Sequence, residues 1–284
     1  MTSRIFPRSV LAVALLAATT AAPPAHANSP WLPAAGTHQS AFSIVVQEAD
    51  ELYVGDVEMP LPTTLEQQSY VFDYSYGIND RLALDLRAGW AESDFLVDPG
   101  LAPEGGLDGF TDARVGLRWN WLDGLGDAPF TLTLSAAALI EGDYEVGALP
   151  AIGDGASGAE LSVLSGWAFA SGFAWQSEIG YRYRSGEVPN EWFFNRTLSY
   201  SFNDRVAARV GWYGVESRGD LDIGGTGFTP ARFPEVEEDY ELWLLGASVG
   251  LGEDFTLGLD YGRKFDGRNT ARSEVLLVNL AYAW

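Results

Sequence analysis

The chain has 284 residues and no cysteine, and its 17 basic against 39 acidic side chains leave a formal net charge of −22. That balance argues against nucleic acid as a partner, and the missing cysteines exclude disulfide stapling and a thiolate metal site. With 32 glycines, 10 tryptophans, 12 tyrosines, 15 phenylalanines and few helix-favouring stretches, the composition predicts an all-β chain of one domain.

Residues 1–27 carry Arg4 and Arg8, an apolar run from Val10 to Ala18, and Ala25-His26-Ala27 before a cleavage point. This predicts a cleaved secretory signal peptide, because the run is well short of the roughly 20 residues a spanning helix needs. Nothing after Ala27 is long and apolar enough for such a helix, so the mature chain is expected to cross the inner membrane completely. Residues 28–38 form a periplasmic N-terminal segment, in which Pro30, Trp31, Leu32 and Pro33 either fold into a lumen as a plug or simply lead into the first strand.

From residue 39 to 284 the pattern has a period of two. Tyr70, Phe72, Tyr74 and Tyr76 oppose Ser69, Val71, Asp73 and Ser75; Leu82, Leu84, Leu86, Ala88 and Trp90 oppose Arg81, Ala83, Asp85, Arg87 and Gly89. Further on, Val115, Leu117, Trp119 and Trp121 oppose Arg114, Gly116, Arg118 and Asn120. A face charged at every second position cannot be a packed sandwich core. An apolar face on lipid and a charged face on a wet interior explain both patterns together.

The same reading gives strands near 39–47, 67–76, 81–91, 111–121, 129–140, 158–169, 172–184, 190–201, 204–215, 240–251, 254–264 and 273–284. These predict a 12-stranded antiparallel transmembrane β-barrel. Short connections (Gly77 to Asp80, Ala170-Ser171, Phe202-Asn203, Gly252-Glu253) and the modest Leu122 to Ala128 alternate with long ones at 48–66, 92–110, 141–157 and 216–239. The long set is expected to be extracellular and both termini periplasmic. In the strand near 190–201, Arg196 falls among the lipid-facing Trp192, Phe194, Leu198 and Tyr200. A bulge near Asn195 that turns Arg196 inward, or a strand offset that lets it reach the interface, is expected.

Inward positions include Asp73, Asp85, Arg87, Arg114, Arg118, Glu178, Arg182, Arg209 and Asp260, with Asp73 and Asp85 expected against Arg87 and Arg114. Such pairs either fill a narrow barrel and stiffen it or form a constriction that selects solutes. A second inward set is apolar: Phe193, Leu242, Leu244, Val275 and Leu277, toward the outer half. It either receives a lipophilic ligand or packs under the loop 216–239. The short connection from Ser185 to Pro189 would leave the rim low nearby.

Chemistry is thinly represented. After signal removal only His38 remains as a base, with Ser40 two residues on and no orienting third residue, so a lipid hydrolase is a remote alternative. Acidic residues gather in the outer loops, at Asp50, Glu51, Asp56 and Glu58, at Asp94 and Asp98, at Glu141, Asp143 and Glu145, and at Glu235, Glu237, Glu238 and Asp239. They match no calcium loop, and a solvated surface is the plainer reading than calcium bridging to lipopolysaccharide phosphates. No metal or cofactor is expected. The segment Gly153 to Gly158 lacks the lysine of a phosphate loop.

The last strand alternates strictly to its end, with Leu276, Val278, Leu280, Tyr282 and Trp284 on one face. Leu280, Tyr282 and the terminal Trp284 resemble the assembly signal of bacterial outer-membrane barrels, which implies the barrel-assembly machinery as a partner and outer-membrane lipid and lipopolysaccharide as surroundings. Trp31-Leu32-Pro33 with Gly36, the turn Tyr76-Gly77-Ile78-Asn79-Asp80-Arg81-Leu82, and the turn Ser201-Phe202-Asn203-Asp204-Arg205 together resemble the transporter-like proteins of the phenol-degradation MetA pathway. The resemblance implies passage of small aromatic or lipophilic compounds, and it supplies no catalytic residues. The expectation is a monomeric passive channel or uptake route for a small-molecule solute; the alternative is a closed structural or surface-binding barrel with acidic loops.

Overall fold

Where bulky apolar residues alternate with small or polar ones, both faces of an extended chain are satisfied at once, and the chain forms strands. The computed structural model describes residues 29–95, 106–147 and 151–284; the expected signal peptide 1–27, Asn28 and the loop acid Asp98 lie outside them. The strands are β1 (His38–Val54), β2 (Val57–Asn79), β3 (Leu82–Asp94), β4 (Leu107–Phe110), β5 (Ala113–Leu122), β6 (Thr131–Ile140), β7 (Gly158–Ala168), β8 (Phe173–Arg184), β9 (Asn190–Ser201), β10 (Val206–Arg218), β11 (Asp239–Leu251), β12 (Phe255–Arg268) and β13 (Glu274–Ala283). β4 and β5 both pair with β3 and are separated only by Thr111 and Asp112, so thirteen segments make the expected twelve staves.

Neighbouring staves pair antiparallel throughout, and β1 pairs with both β2 and β13. The sheet therefore closes on itself and leaves no free edge. At the seam Gln39 faces Ala283 and Glu48 faces Glu274. The His38 amide donates to the Trp284 carbonyl at 2.9 Å, and the Trp284 amide returns the bond to His38 at 3.0 Å.

One expected loop is instead a wall. Across 48–66, β1 and β2 continue as a hairpin to a turn at Gly55 and Asp56, with a register break between Ala49 and Glu51. Gly55 has φ +56°, and its amide donates to Asn269 Oδ1 at 2.8 Å, so the turn is tied to the connection between β12 and β13. Glu58, Pro60 and Pro62 break the alternation here because above the lipid both faces of the hairpin are wet. β3 and β10 likewise run past their expected ends, to Asp94 and Arg218.

The outward face carries exposed Phe42, Phe72, Leu86, Leu117, Trp119, Leu161, Val210, Leu245, Leu259 and Leu280. Its short-turn boundary is aromatic: His38 stacks on Tyr76 and Trp284, and Trp284 on Tyr282. Its other boundary is acidic, since Glu274, Glu48, Glu66 and Asp94 stand directly opposite one another across β13, β1, β2 and β3. Four carboxylates in one cross-strand row repel unless water surrounds them. Ten residues of β1 separate the two boundaries, which at about 3.3 Å per residue and a tilt of about 40° makes a band about 25 Å tall. That is the height of a lipid hydrocarbon layer.

Arg196 departs from expectation. β9 pairs with β8 and β10 without a register break, so there is no bulge, and Arg196 remains on the outward face. Trp192 and Tyr200 flank it at four residues on either side, placing it midway between the aromatic ends of the band. Its guanidinium lies over the rings of Phe194 at 5.4 Å and Trp212 at 4.9 Å, which offsets part of the cost of facing lipid. An arginine at this depth costs about 2–4 kcal/mol. Replacing it with leucine is expected to stabilise the barrel by about 2 kcal/mol, allowing for the lost ring contacts; urea titration of the vesicle-inserted protein measures it, and a destabilised variant would show that Arg196 has a partner in the membrane.

Candidate functional site

Successive strands turn alternate residues inward, and the lumen they enclose is layered. At the short-turn end, residues 29–37 leave the wall and cross it. Gly36, at φ +79°, donates its amide to the Gly77 carbonyl at 2.7 Å beside β1 and β2. Farther round the ring, Thr133 Oγ1 on β6 donates to the Pro30 carbonyl at 2.6 Å, and Arg118 Nη1 on β5 donates to the carbonyls of Ser29 at 2.5 Å and Trp31 at 3.3 Å. Trp31 is buried against Ala174 and Ala168. A Cβ at position 166 would lie 2.7 Å from the Pro30 ring, so Gly166 is what lets the segment seat.

Above it the inward charges pair. Arg118 grips Asp85 with Nε and Nη2, both at 2.7 Å, and Arg87 Nε reaches Asp73 at 2.6 Å. Arg209 forks onto Asp260 at 2.7 and 2.6 Å, a bidentate fit that Gly246 permits, since a Cβ there would sit 1.9 Å from the Asp260 carboxylate. Arg114 bonds Glu160 at 3.1 Å, and Arg182 bonds the same carboxylate at 3.2 and 3.0 Å while also holding Glu191. Glu178 accepts from Ser162 at 2.6 Å and Asn195 at 2.9 Å. All nine charged residues expected inward are therefore in the lumen, but the pairing differs in one respect. Asp73 takes Arg87 as expected, whereas Asp85 takes Arg118 rather than Arg114.

Glu160, the hub of the network, is not among the inward charges expected from the sequence. Its place on the same face as Ser162 is the signal that marks it, two residues beyond a glycine-rich segment that obscures the strand's start. Arg114 reaches it across β6, whose Ser135 accepts a further bond at 3.1 Å.

Beside this network the apolar set fills the other side of the lumen. Leu242, Leu244, Val275 and Leu277 pack with Val45 and Tyr213 into one buried cluster, partly covered by Tyr240. Phe193 is 1 % exposed, seated over Gly180 with the Arg182 guanidinium 5.1 Å from its ring. Directly above lies a vestibule of about 250 Å³, lined among others by Gln47, Gln67, Arg184, Glu191, Tyr240 and Lys264. A short 3-10 turn, Pro230–Glu235, brings Phe233 and Pro234 to its rim.

The long loop over the vestibule is tethered by Asn269, one of the few non-glycine positions where a left-handed backbone is tolerated, at φ +50°. Its side chain donates to Asp222 and to the Glu237 carbonyl, each at 2.8 Å, and accepts from the amides of Gly55 and Ile223. The bonds from Asn269 and Arg268 hold the Asp222 carboxyl below the ordinary carboxylate range.

His38 does not enter the lumen. Its Nδ1 lies 2.7 Å from the Tyr74 hydroxyl in the outward aromatic belt. Among the described residues, no three His, Asp or Glu side chains are grouped to hold a metal ion.

Glu160 neutralises two buried arginines, so removing its charge takes a carboxylate from each and leaves Arg182 with Glu191. Glu160→Gln is expected to destabilise the barrel by about 3–5 kcal/mol, read from urea unfolding in vesicles; a change under about 1 kcal/mol would mean that water already screens the network.

Comparison with known proteins agrees with this architecture. No curated protein sequence matches the chain. The COG4313 outer membrane channel from Pseudomonas putida F1 superposes with a TM-score of 0.73 at 12% identity, over 93% of this chain and 100% of that one. The NanC porin gives 0.53 at 8% identity, over 84% and 98%, and the translocator domain of the autotransporter NalP from Neisseria meningitidis gives 0.52 at 13%, over 88% and 90%. These likenesses share one fold, the outer-membrane β-barrel. The family model described as "Putative MetA-pathway of phenol degradation" matches residues 54–280, and the chain belongs to that family.

Proposed function

We propose that the protein is a passive outer-membrane channel that admits small solutes through its lumen. The observation that carries this reading is an asymmetry between the two ends. One end opens as a vestibule among the long loops, and the other is crossed by residues 29–37, which belong to no strand of the wall and are held by a handful of hydrogen bonds. A barrel serving only as a scaffold has no need of a non-strand stopper. The segment is the plug in this reading, and it faces the periplasm together with both termini. The channel and porin named among the structural neighbours share the fold, which supports the same conclusion.

Between plug and vestibule, the paired or hydrogen-bonded residues Asp73, Asp85, Arg87, Arg114, Arg118, Glu178, Arg182, Arg209 and Asp260 form the constriction. Both signs are present and matched, so the lumen is expected to discriminate weakly by ion charge and strongly by size. The barrel acts as a monomer and needs no cofactor. Leu280, Tyr282 and Trp284 supply the strand offered to the assembly machinery, and the outward acidic row at Glu48 and Glu66 meets lipopolysaccharide at the membrane surface.

Trp31 is the anchor of the plug. Trp31→Ala is expected to raise single-channel conductance and the liposome uptake of small sugars at least several-fold over the parent protein. Unchanged conductance in a variant with normal heat-modifiable mobility would show that the segment does not obstruct the route.

A further inference from the structure

Resting on the channel reading, we propose that residues 29–31 occupy the lumen's own solute site as a stand-in for its ligand, and that the ligand is an uncharged aromatic compound bearing carbonyl oxygens, such as an aromatic amide. The segment is held by two features that such a compound would share with it: side-chain donors from the wall meet its carbonyls, and a slot receives its ring.

The donors stand on β5 and β6. Arg118 Nη1 donates to the carbonyls of Ser29 and Trp31, and Thr133 Oγ1 to the Pro30 carbonyl between them. Pro30 has no N–H, and the Trp31 amide is spent within the segment on Ser29 Oγ at 3.2 Å, so the groups recognised by the wall are acceptors. Arg118 is 5 % exposed and Thr133 is fully buried. The rest of the Arg118 guanidinium is committed to the wall, with Nε and Nη2 on Asp85 and Nη2 also on Ser75 at 2.9 Å. Asp85 therefore answers the charge, while Nη1 is left to the movable segment. When residues 29–31 leave, Nη1 and the Thr133 hydroxyl lose their acceptors inside the lumen, and a neutral carbonyl oxygen restores them.

The slot lies on β7 and β8. The Trp31 ring packs against Ala168 and Ala174, and a Cβ at position 166 would stand 2.8 Å from it. Three small inward residues thus leave room for one planar ring. The indole Nε1 is buried there without an acceptor among the described residues, so the slot accommodates the apolar body of a ring and not the polar edge of an indole. A phenyl ring fits the same chemistry and carries no orphaned N–H. The segment is joined to the wall at Gly36 and competes as a tethered ligand, with an effective concentration of about millimolar. A free solute at similar concentration displaces it, and in doing so opens its own route.

The probe is N-acetylphenylalaninamide, a ring with a carbonyl on either side, as Trp31 has its own and that of Pro30. The chain has no cysteine, so Ser29→Cys places a single reporter on the segment, labelled in detergent by a maleimide too bulky to reach it when docked. At about millimolar probe, labelling is expected to quicken several-fold, whereas toluene, which lacks carbonyls, and N-acetylglycinamide, which lacks the ring, leave the rate unchanged. Calorimetry is expected to show the probe binding several-fold more tightly to Trp31→Ala than to the parent, because the slot is vacant. In the reporter protein, Gly166→Ala fills the slot, and labelling is expected to be fast without probe and indifferent to it; Thr133→Val, which removes one donor, supplies the same test if Gly166→Ala fails to fold. An unchanged labelling rate with no tighter binding to Trp31→Ala overturns the site, and a response as large to N-acetylphenylalanine, with its carboxylate, overturns the uncharged class. Liposome uptake separates the two readings. If Trp31→Ala raises uptake while the probe neither binds nor frees the segment, the site fails and the channel stands; if the probe binds and frees the segment while uptake stays at background, the channel fails and the site stands.

Discussion

No water reaches a peptide group inside a lipid bilayer, so every N–H and C=O in the wall must be answered by the wall itself. In this protein that requirement is met by joining the first strand to the last. The reciprocal bonds between His38 and Trp284 and the register from Gln39–Ala283 to Glu48–Glu274 convert an open sheet into a ring. Everything else in the structure follows from that closure. Once the ring exists, side chains have only two destinations, lipid or lumen, and alternation along each strand sorts them.

The sorting leaves the charges inside, where they face one another at short range with little water. They are tolerated because each is paired with an opposite charge or, like Glu178, held by hydrogen bonds from neutral side chains. Arg118 with Asp85, Arg209 with Asp260, and Arg114 and Arg182 with Glu160 hold together strands that are not all neighbours, and so cross-brace the barrel. Inward glycines make room for this: Gly246 admits the Asp260 carboxylate, and Gly180 admits the ring of Phe193. The packed apolar cluster around Leu244 and Leu277 occupies the remaining half of the section. What is left open is the vestibule above and the space filled by residues 29–37 below.

Most of the wall was legible in the sequence because lipid and lumen impose opposite demands on successive residues. Val115, Leu117, Trp119 and Trp121 against Arg114, Gly116, Arg118 and Asn120 state both the strand and its orientation. The rule fails where its cause ends. Beyond the lipid both faces of the β1–β2 hairpin meet water, so Glu51, Glu58 and Pro60 show no period and the hairpin reads as a loop. Alternation also fixes a side chain's face without fixing its height, which is why Arg114 could be placed in the lumen while its partner Glu160, two strands away, could not. Arg184 and Lys264 sit at strand tops, where the pattern is weakest. Arg196 could be flagged as anomalous but not resolved, because the rings that cover it come from its own strand and from Trp212 on the next.

In the proposed channel, solute passes along the barrel axis and residues 29–37 must move to let it. The chain has no cysteine, so a single engineered pair can test this without interference. Pro30 and Gly166 are close enough to be bridged, the Pro30 ring lying 2.7 Å from where a Cβ at 166 would stand. With Pro30→Cys and Gly166→Cys oxidised to a disulfide, solute uptake into liposomes is expected to fall to background and to return on reduction. Uptake that persists with the bridge closed would contradict the axial route and require passage through the wall.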